Sequence, residues 1–327
     1  MTDDLTVSLA IDRYIDTVRL ARSENTARTY ANALSFFVGV LDVRNISPKE
    51  MKISALPEEV LVWTITALNV YAPTTERLYL AALMGFYEFL AAERLADINL
   101  PRLRLLIRQR ARRPGQRLPQ FPREDIEKLL QVVESYAQNS VFDEKEHLRA
   151  LRERAFMVTL ADTGLRVHEA CQLRRGDVDW NEGRAIIIGK GDKQAVIRFS
   201  TRAMRAMKDY LSARQKLDGA SGRPLPSLPL FARHDKGAGK KVKPISTATG
   251  RNIVTEAVRR ILGEDAVGKI TPHSFRHYFV TTVLRASGNL KMAQELARHS
   301  NIAVTQRYAH LSDDELDRGY YEIFDKK

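Results

Sequence analysis

A chain of 327 residues with 44% apolar and 28% charged side chains has material for two ordinary globular cores. Its formal net charge of +12 favours a polyanionic partner. A single cysteine, Cys171, excludes both an intrachain disulfide framework and a cysteine-rich zinc site.

The charge is unevenly placed. Residues 1–100 carry 9 Lys or Arg against 13 Asp or Glu, a net of −4, whereas residues 101–327 carry 43 against 27, a net of +16. The opening MTDDLTVSLAIDRYID is acidic and has no basic start or apolar signal core. No apolar run approaches the eighteen or so residues that span a bilayer. The expected location is the cytoplasm, with no membrane partner.

Residues 1–100 read as four short helices forming a small bundle. Ala10, Ile11, Tyr14, Ile15 and Val18 keep the three-to-four spacing of an amphipathic helix. Asn25 can cap a second, with Tyr30, Leu34, Phe37 and Leu41 inside. Pro57 suits the first position of a third, through Val60, Trp63 and Leu68. A fourth follows Pro73, with Leu80, Leu83, Tyr87 and Leu90 inward. No chemistry is written in this part.

Residues 101–121 read as a basic linker. The stretch up to Arg123 holds eight arginines, no acid, and prolines at 101, 114, 119 and 122. A solvated connector is the plainer reading. Arginine without lysine favours phosphate contact, because its planar fork matches phosphate oxygens. Arg108, Arg110, Arg112 and Arg113 are the candidate DNA-contacting residues.

A larger domain, 122–327, begins at Pro122. Helices are expected over 122–137, over Leu148–Thr163 with Gly164 as a left-handed cap, and from about Val167 to Leu173. Val178–Trp180, Arg184–Ile188 and Gln194–Phe199 read as three short strands joined by Asn181-Glu182-Gly183 and Gly189-Lys190-Gly191-Asp192. Ser200 or Thr201 caps a helix through Leu217. A loop rich in Pro, Gly and basic residues fills 218–246, with one further strand at LPLF. Helices follow at 248–262, 273–286, 289–298 and about 302–308, and an amphipathic one closes the chain over Ser312–Phe324. The expected fold class is mainly α with a small antiparallel sheet, in two domains.

Several residues here suit one chemistry. His273 and Arg276 stand three apart, on one face of a helix. His299 and Tyr308 follow, and Arg166 and Lys190 lie upstream. A phosphodiester under attack gathers negative charge on its non-bridging oxygens, where fixed arginines are effective. Tyrosine can attack and hold the phosphate as a covalent ester, and a lysine or histidine can protonate the departing oxygen. Alone, each signal is weak. Arg166 could merely follow a helix cap, and GKGDK could be a plain hairpin turn. His168-Glu169 hints at a zinc helix, but position 172 is Gln, which removes the metal reading.

The ordered set RVHE, GKGDK after two strands, HSFRH, LARHS and QRYAH closely resembles the tyrosine recombinase (phage integrase) family, from about Pro122 to the C-terminus. Residues 1–100 resemble its core-binding domain in size and pattern. The resemblance implies a site-specific DNA recombinase with Xer-like layout, whose two domains clamp duplex DNA. It implies that Arg166 and Arg276 hold the scissile phosphate and that Lys190 protonates the leaving 5′-oxygen. His273 would assist proton transfer, His299 would bond a non-bridging oxygen, and Tyr308 would form a 3′-phosphotyrosyl link. Glu169 matches an acidic position that steadies the site. Neither metal nor nucleotide cofactor is implied. The implied partners are double-stranded DNA and other copies of the chain, in a tetrameric synapse that exchanges strands through a Holliday junction and is linked by the C-terminal helix. A type IB topoisomerase shares the chemistry, and a catalytically idle DNA-binding protein could share the fold. The filled active positions and the tail beyond Tyr308 argue against both. The sequence departs from the family at one point: Arg298 stands where Gly usually precedes the second histidine. If that position is left-handed, Arg298 is strained there, and its side chain is a candidate for a further DNA contact.

Overall fold

The computed structural model describes residues 5–112, 122–138, 143–188, 194–235, 237, 241–299 and 305. Arg113, Lys190, Tyr308, the helix expected at about 302–308 apart from Thr305, and the closing helix over Ser312–Phe324 lie outside the described residues. The chain divides into two compact units, 1–117 and 118–327.

The first unit is helical: α1 Val7–Ala21, α2 Glu24–Val43, α3 Glu59–Ala67, α4 Pro73–Ala92 and α5 Leu100–Arg110. Its core takes Val7, Ala10, Tyr14, Ile15 and Val18 from α1 and Leu34, Phe37 and Leu41 from α2. Val60, Leu61 and Ile65 of α3 and Leu80, Leu83, Phe86, Tyr87 and Leu90 of α4 join it. Helix α2 begins earlier than the Asn25 cap would place it, because the Ser23 side chain accepts from Thr26 N at 3.3 Å. Pro73 opens α4 at a position where its missing N–H costs nothing.

The basic stretch differs from a linker in its first half. Residues 100–110 form α5, which packs on the first unit through fully buried Leu103 and partly buried Leu100, Leu106 and Ile107. The Asn99 side chain caps it, accepting from Arg102 N at 3.0 Å. Arginines fill the solvent face around a narrow leucine stripe, so composition hid the helical period.

The second unit is built around α7 Glu144–Thr163, whose residues from Ala155 to Ala161 are buried throughout. Around it lie α6 Arg123–Ala137, α8 Val167–Gln172, α9 Thr201–Ala213, α10 Gln215–Gly219 and α11 Thr247–Leu262. Helices α12 Pro272–Ser287 and α13 Leu290–Ala297 follow. Arg154, on buried α7, is held by Glu134 at 2.9 Å and Asp209 at 2.8 Å. The helix expected through Leu217 breaks at Arg214. That buried guanidinium bonds Asp218, the Tyr210 hydroxyl and the carbonyls of Pro229 and Leu230.

Three strands, β1 Val178–Asp179, β2 Arg184–Ile188 and β3 Gln194–Arg198, form an antiparallel sheet in the order β1-β2-β3. Val178 pairs with Ala185 and Ile186 with Val196. Val178, Ala185, Ile187 and Ile197 face the core while Ile186 and Val196 face out, the period-two alternation of a half-buried sheet. LPLF makes an isolated bridge rather than a strand, Pro229 pairing with Arg174, and Ala232 just after it pairs with Pro244. The pairing is too short to propagate, because Pro lacks the N–H that a ladder needs.

Candidate active site

Helix termini build the site. Helix α7 stops at Gly164, which is left-handed (φ 60°, ψ 21°). A Cβ there would lie 2.5 Å from Phe279 Cδ1 of α12, so glycine serves both the turn and the close approach. Two residues on, Arg166 caps α8. Glu169, in the first turn, reaches back to accept from Arg166 N at 2.8 Å and from Arg166 Nη1 at 2.9 Å.

At the start of α12, Thr271 N donates to Ser274 Oγ at 3.0 Å and Pro272 occupies the first turn. This fixes His273 and Arg276 on adjoining turns. Arg276, buried, donates from Nη1 to Gly164 O at 2.5 Å and from Nη2 to Ala297 O. Both acceptors are carbonyls at helix C-termini, where partial negative charge favours a cation.

Helix α13 ends in a left-handed residue, Arg298 (φ 57°, ψ 44°), as the departure from Gly suggested. The turn sends His299 N back to Gln294 O at 3.1 Å and swings the imidazole inward. Left-handed backbone costs a non-glycine residue about 1–2 kcal/mol. The Arg298 guanidinium does not reach out to solvent. Its side chain is 13% exposed, and Nη2 bonds Glu169 Oε2 at 3.0 Å. A charge-assisted bond of this kind contributes about 1.5–3 kcal/mol, enough to offset the strain.

The arginines and imidazoles bear on one another electrostatically. Burial, then the cations Arg276 and Arg166, then His273 and His277 hold the His299 pKa down to about 4. His273 is lowered by burial and by the same two arginines. His277, whose ring lies 4.4 Å from that of His273 at 89°, is lowered to about 4 by burial, His273 and Arg276. The three imidazoles are therefore neutral at pH 7. Burial raises the Glu169 pKa, but Arg298 and the Arg166 hydrogen bonds outweigh it and leave the carboxylate ionised. His299 Nδ1 shares a hydrogen bond of 2.9 Å with buried Thr305 Oγ1.

Arg166, Glu169, His273, Arg276 and His299 thus come together. The sequence reading missed His277, although it adjoins Arg276 and lies one turn from His273. It also missed Thr305, whose signal is no more than its place between two site residues. Of the basic candidates, Arg108 and Arg110 are exposed on the last turn of α5. Arg112 is engaged otherwise: its Nε meets Glu76 Oε2 at 2.6 Å, and its backbone N donates to Oε1 at 2.9 Å. Among the described residues no cluster of three or more His, Cys, Asp or Glu is placed to hold a metal. No described helix is long and apolar enough to cross a membrane. The Cys171 thiol is buried and pushed up to about 12, which makes it a poor nucleophile.

Residues 120–315 match the model of the phage integrase family. The chain belongs to that family. It is 30% identical over 296 residues to the tyrosine recombinase XerC of Bacillus pumilus, a match covering 90% of this chain and 88% of the relative. XerC of Myxococcus xanthus is 27% identical over 302 residues, 91% of each chain. The fold matches that of XerH recombinase bound to difH (TM-score 0.65, 19% identity, 95% of this chain and 83% of that one). It also matches the Tn1549 transposon integrase bound to transposon right-end DNA (TM-score 0.67, 16% identity, 98% and 100%). This phage integrase family member is a tyrosine recombinase of Xer-like type, an enzyme of site-specific DNA recombination.

Proposed function

We propose that the enzyme cleaves one strand of its duplex at a time through Tyr308. The phenolic oxygen attacks the scissile phosphorus, forming a 3′-phosphotyrosyl bond while the bond to the 5′-oxygen breaks. Arg166 and Arg276 hold the non-bridging oxygens as charge gathers there. Lys190 gives its proton to the departing 5′-oxygen. His273, neutral at pH 7, accepts the tyrosine proton. His299, with Thr305 bonded at Nδ1, serves as donor from Nε2 to a phosphate oxygen in the tautomer where the threonine hydroxyl gives the hydrogen. A 5′-hydroxyl from a partner duplex then reverses the steps, and two such rounds pass through a Holliday junction.

The observation that carries this reading is the convergence of helix ends around Arg276, with His273 one turn before it. Arg276 bonds the carbonyls of Gly164, two residues before Arg166, and of Ala297, two residues before His299. The enzyme works in the cytoplasm on double-stranded DNA. Four copies form the synapse, with the Leu316, Tyr320 and Phe324 stripe of the C-terminal segment docked on a neighbour. Residues 1–100 bind DNA as the core-binding domain, and 122–327 form the catalytic domain. Arg108 and Arg110 contact phosphates.

The test is Tyr308→Phe. Denaturant-resistant protein–DNA adducts should vanish while duplex binding stays near wild type. Adducts that persist in the variant would assign the nucleophile elsewhere.

A further inference from the structure

We propose that Arg298 is a positioning residue of the cleavage site, acting through Glu169 to preserve the geometry and positive field of Arg166. The inference rests on the reading of Arg166 as a phosphate clamp.

Glu169 is shared. Its side chain is 3% exposed, and three donors converge on it. Oε1 accepts from Arg166 Nη1 at 2.9 Å, and Oε2 accepts from Arg166 N at 2.8 Å and Arg298 Nη2 at 3.0 Å. A carboxylate so deeply buried must be compensated by neighbouring charge. With both arginines present, the trio Arg166, Glu169 and Arg298 carries a net charge of +1. Without Arg298, Arg166 alone neutralises the carboxylate, and the pair presents no net charge to a phosphate.

The exposures separate the two arginines by role. The Arg166 side chain is 43% exposed, open to a ligand while one nitrogen stays on Glu169. Arg298, at 13%, is turned inward and cannot reach DNA without abandoning Glu169. The residue also accepts a left-handed backbone that glycine would take without strain. A strained arginine whose side chain is spent on a buried carboxylate beside the reacting centre is placed for the site, not for the surface.

A double-mutant cycle tests this on a nicked suicide duplex carrying the enzyme's own cleavage site, reading the single-turnover rate of adduct formation. Arg298→Met should slow adduct formation about tenfold or more, the loss expected for one charge-assisted bond, with duplex affinity within about twofold of wild type. Glu169→Gln should slow it as well, and the double variant should be no slower than the slower single variant. Arg298→Lys should recover part of the rate. Arg298→Gly, which relieves the backbone, should be as slow as Arg298→Met while melting no lower than wild type minus a few degrees. That variant decides the matter if the Met variant is poorly folded.

Multiplicative losses in the double variant, a wild-type rate in Arg298→Gly, or an affinity loss with a shallower salt slope would overturn the proposal. The last result would make Arg298 a DNA contact. Arg166→Ala serves as the reference. If it cleaves normally, the clamp reading has failed. If it is inactive while the cycle shows independent effects, only the role of Arg298 has failed.

Discussion

Arg276 and Gly164 lie 112 positions apart, yet the Arg276 guanidinium donates to the Gly164 carbonyl at 2.5 Å. Its other terminal nitrogen donates to Ala297 O. One side chain therefore ties the ends of α7 and α13 together. A planar fork can span both carbonyls, and a lysine cannot. Arg276→Lys should lose about 1.5–3 kcal/mol of stability, the worth of one such charged hydrogen bond, seen in chemical denaturation. Its adduct formation should fall at least a hundredfold. A Lys variant with wild-type cleavage would show that point charge suffices.

The arginines of the basic stretch should separate into two classes. Glu76 is fully buried and depends on Arg112 for compensation. Arg112→Gln should destabilise the first unit by about 3–5 kcal/mol, because it leaves a buried charge unpaired. Replacing Arg108 and Arg110 with Gln should leave stability within about 0.5 kcal/mol and flatten the salt dependence of DNA binding. Denaturant melts and binding across a salt series check both. An unchanged salt slope in the Arg108 and Arg110 variant would put that face in solvent.

Acid should weaken the fold through its histidines. His277 and His299 have folded-state pKa values near 4, against an ordinary 6.5. Between those values the unfolded chain binds more protons than the folded one, so stability rises with pH there. Their contribution is complete above pH 6.5 and is lost as pH falls from 6.5 to about 4. Melting temperature measured across pH 4.5–7.5 should drop on the acid side, and His277→Gln should make the drop shallower. A flat profile would mean these imidazoles are not held neutral. Bound DNA phosphate should raise the His299 pKa, visible in its imidazole NMR shifts.

Lys190→Ala should slow cleavage severely on an ordinary phosphodiester and recover substantially when sulfur replaces the leaving 5′-oxygen. Sulfur departs without a proton, so the general acid becomes dispensable. Equal losses on both substrates would reduce Lys190 to a phosphate contact.

The sequence by itself determined most of the elements and the family. Apolar spacing gave the helices of both units, and alternation gave the three strands, since these patterns are local. Gly164 was legible as a left-handed cap for the same reason, whereas the left-handed turn at Arg298 was suggested only by the family's glycine there. The order of RVHE, HSFRH and LARHS carried the family, and the comparisons bear that out. Tertiary structure alone decided which charges meet. Arg112 reads as one more basic residue until α4 is seen to bring Glu76 against it. Arg298 reads as a candidate DNA contact until α8 places Glu169 within 3.0 Å of it. Helix α5 was hidden because arginines crowd its solvent face, and only packing shows which few leucines lie inside. Side-chain partnership across more than a hundred residues depends on how helix ends converge, and no local pattern encodes that.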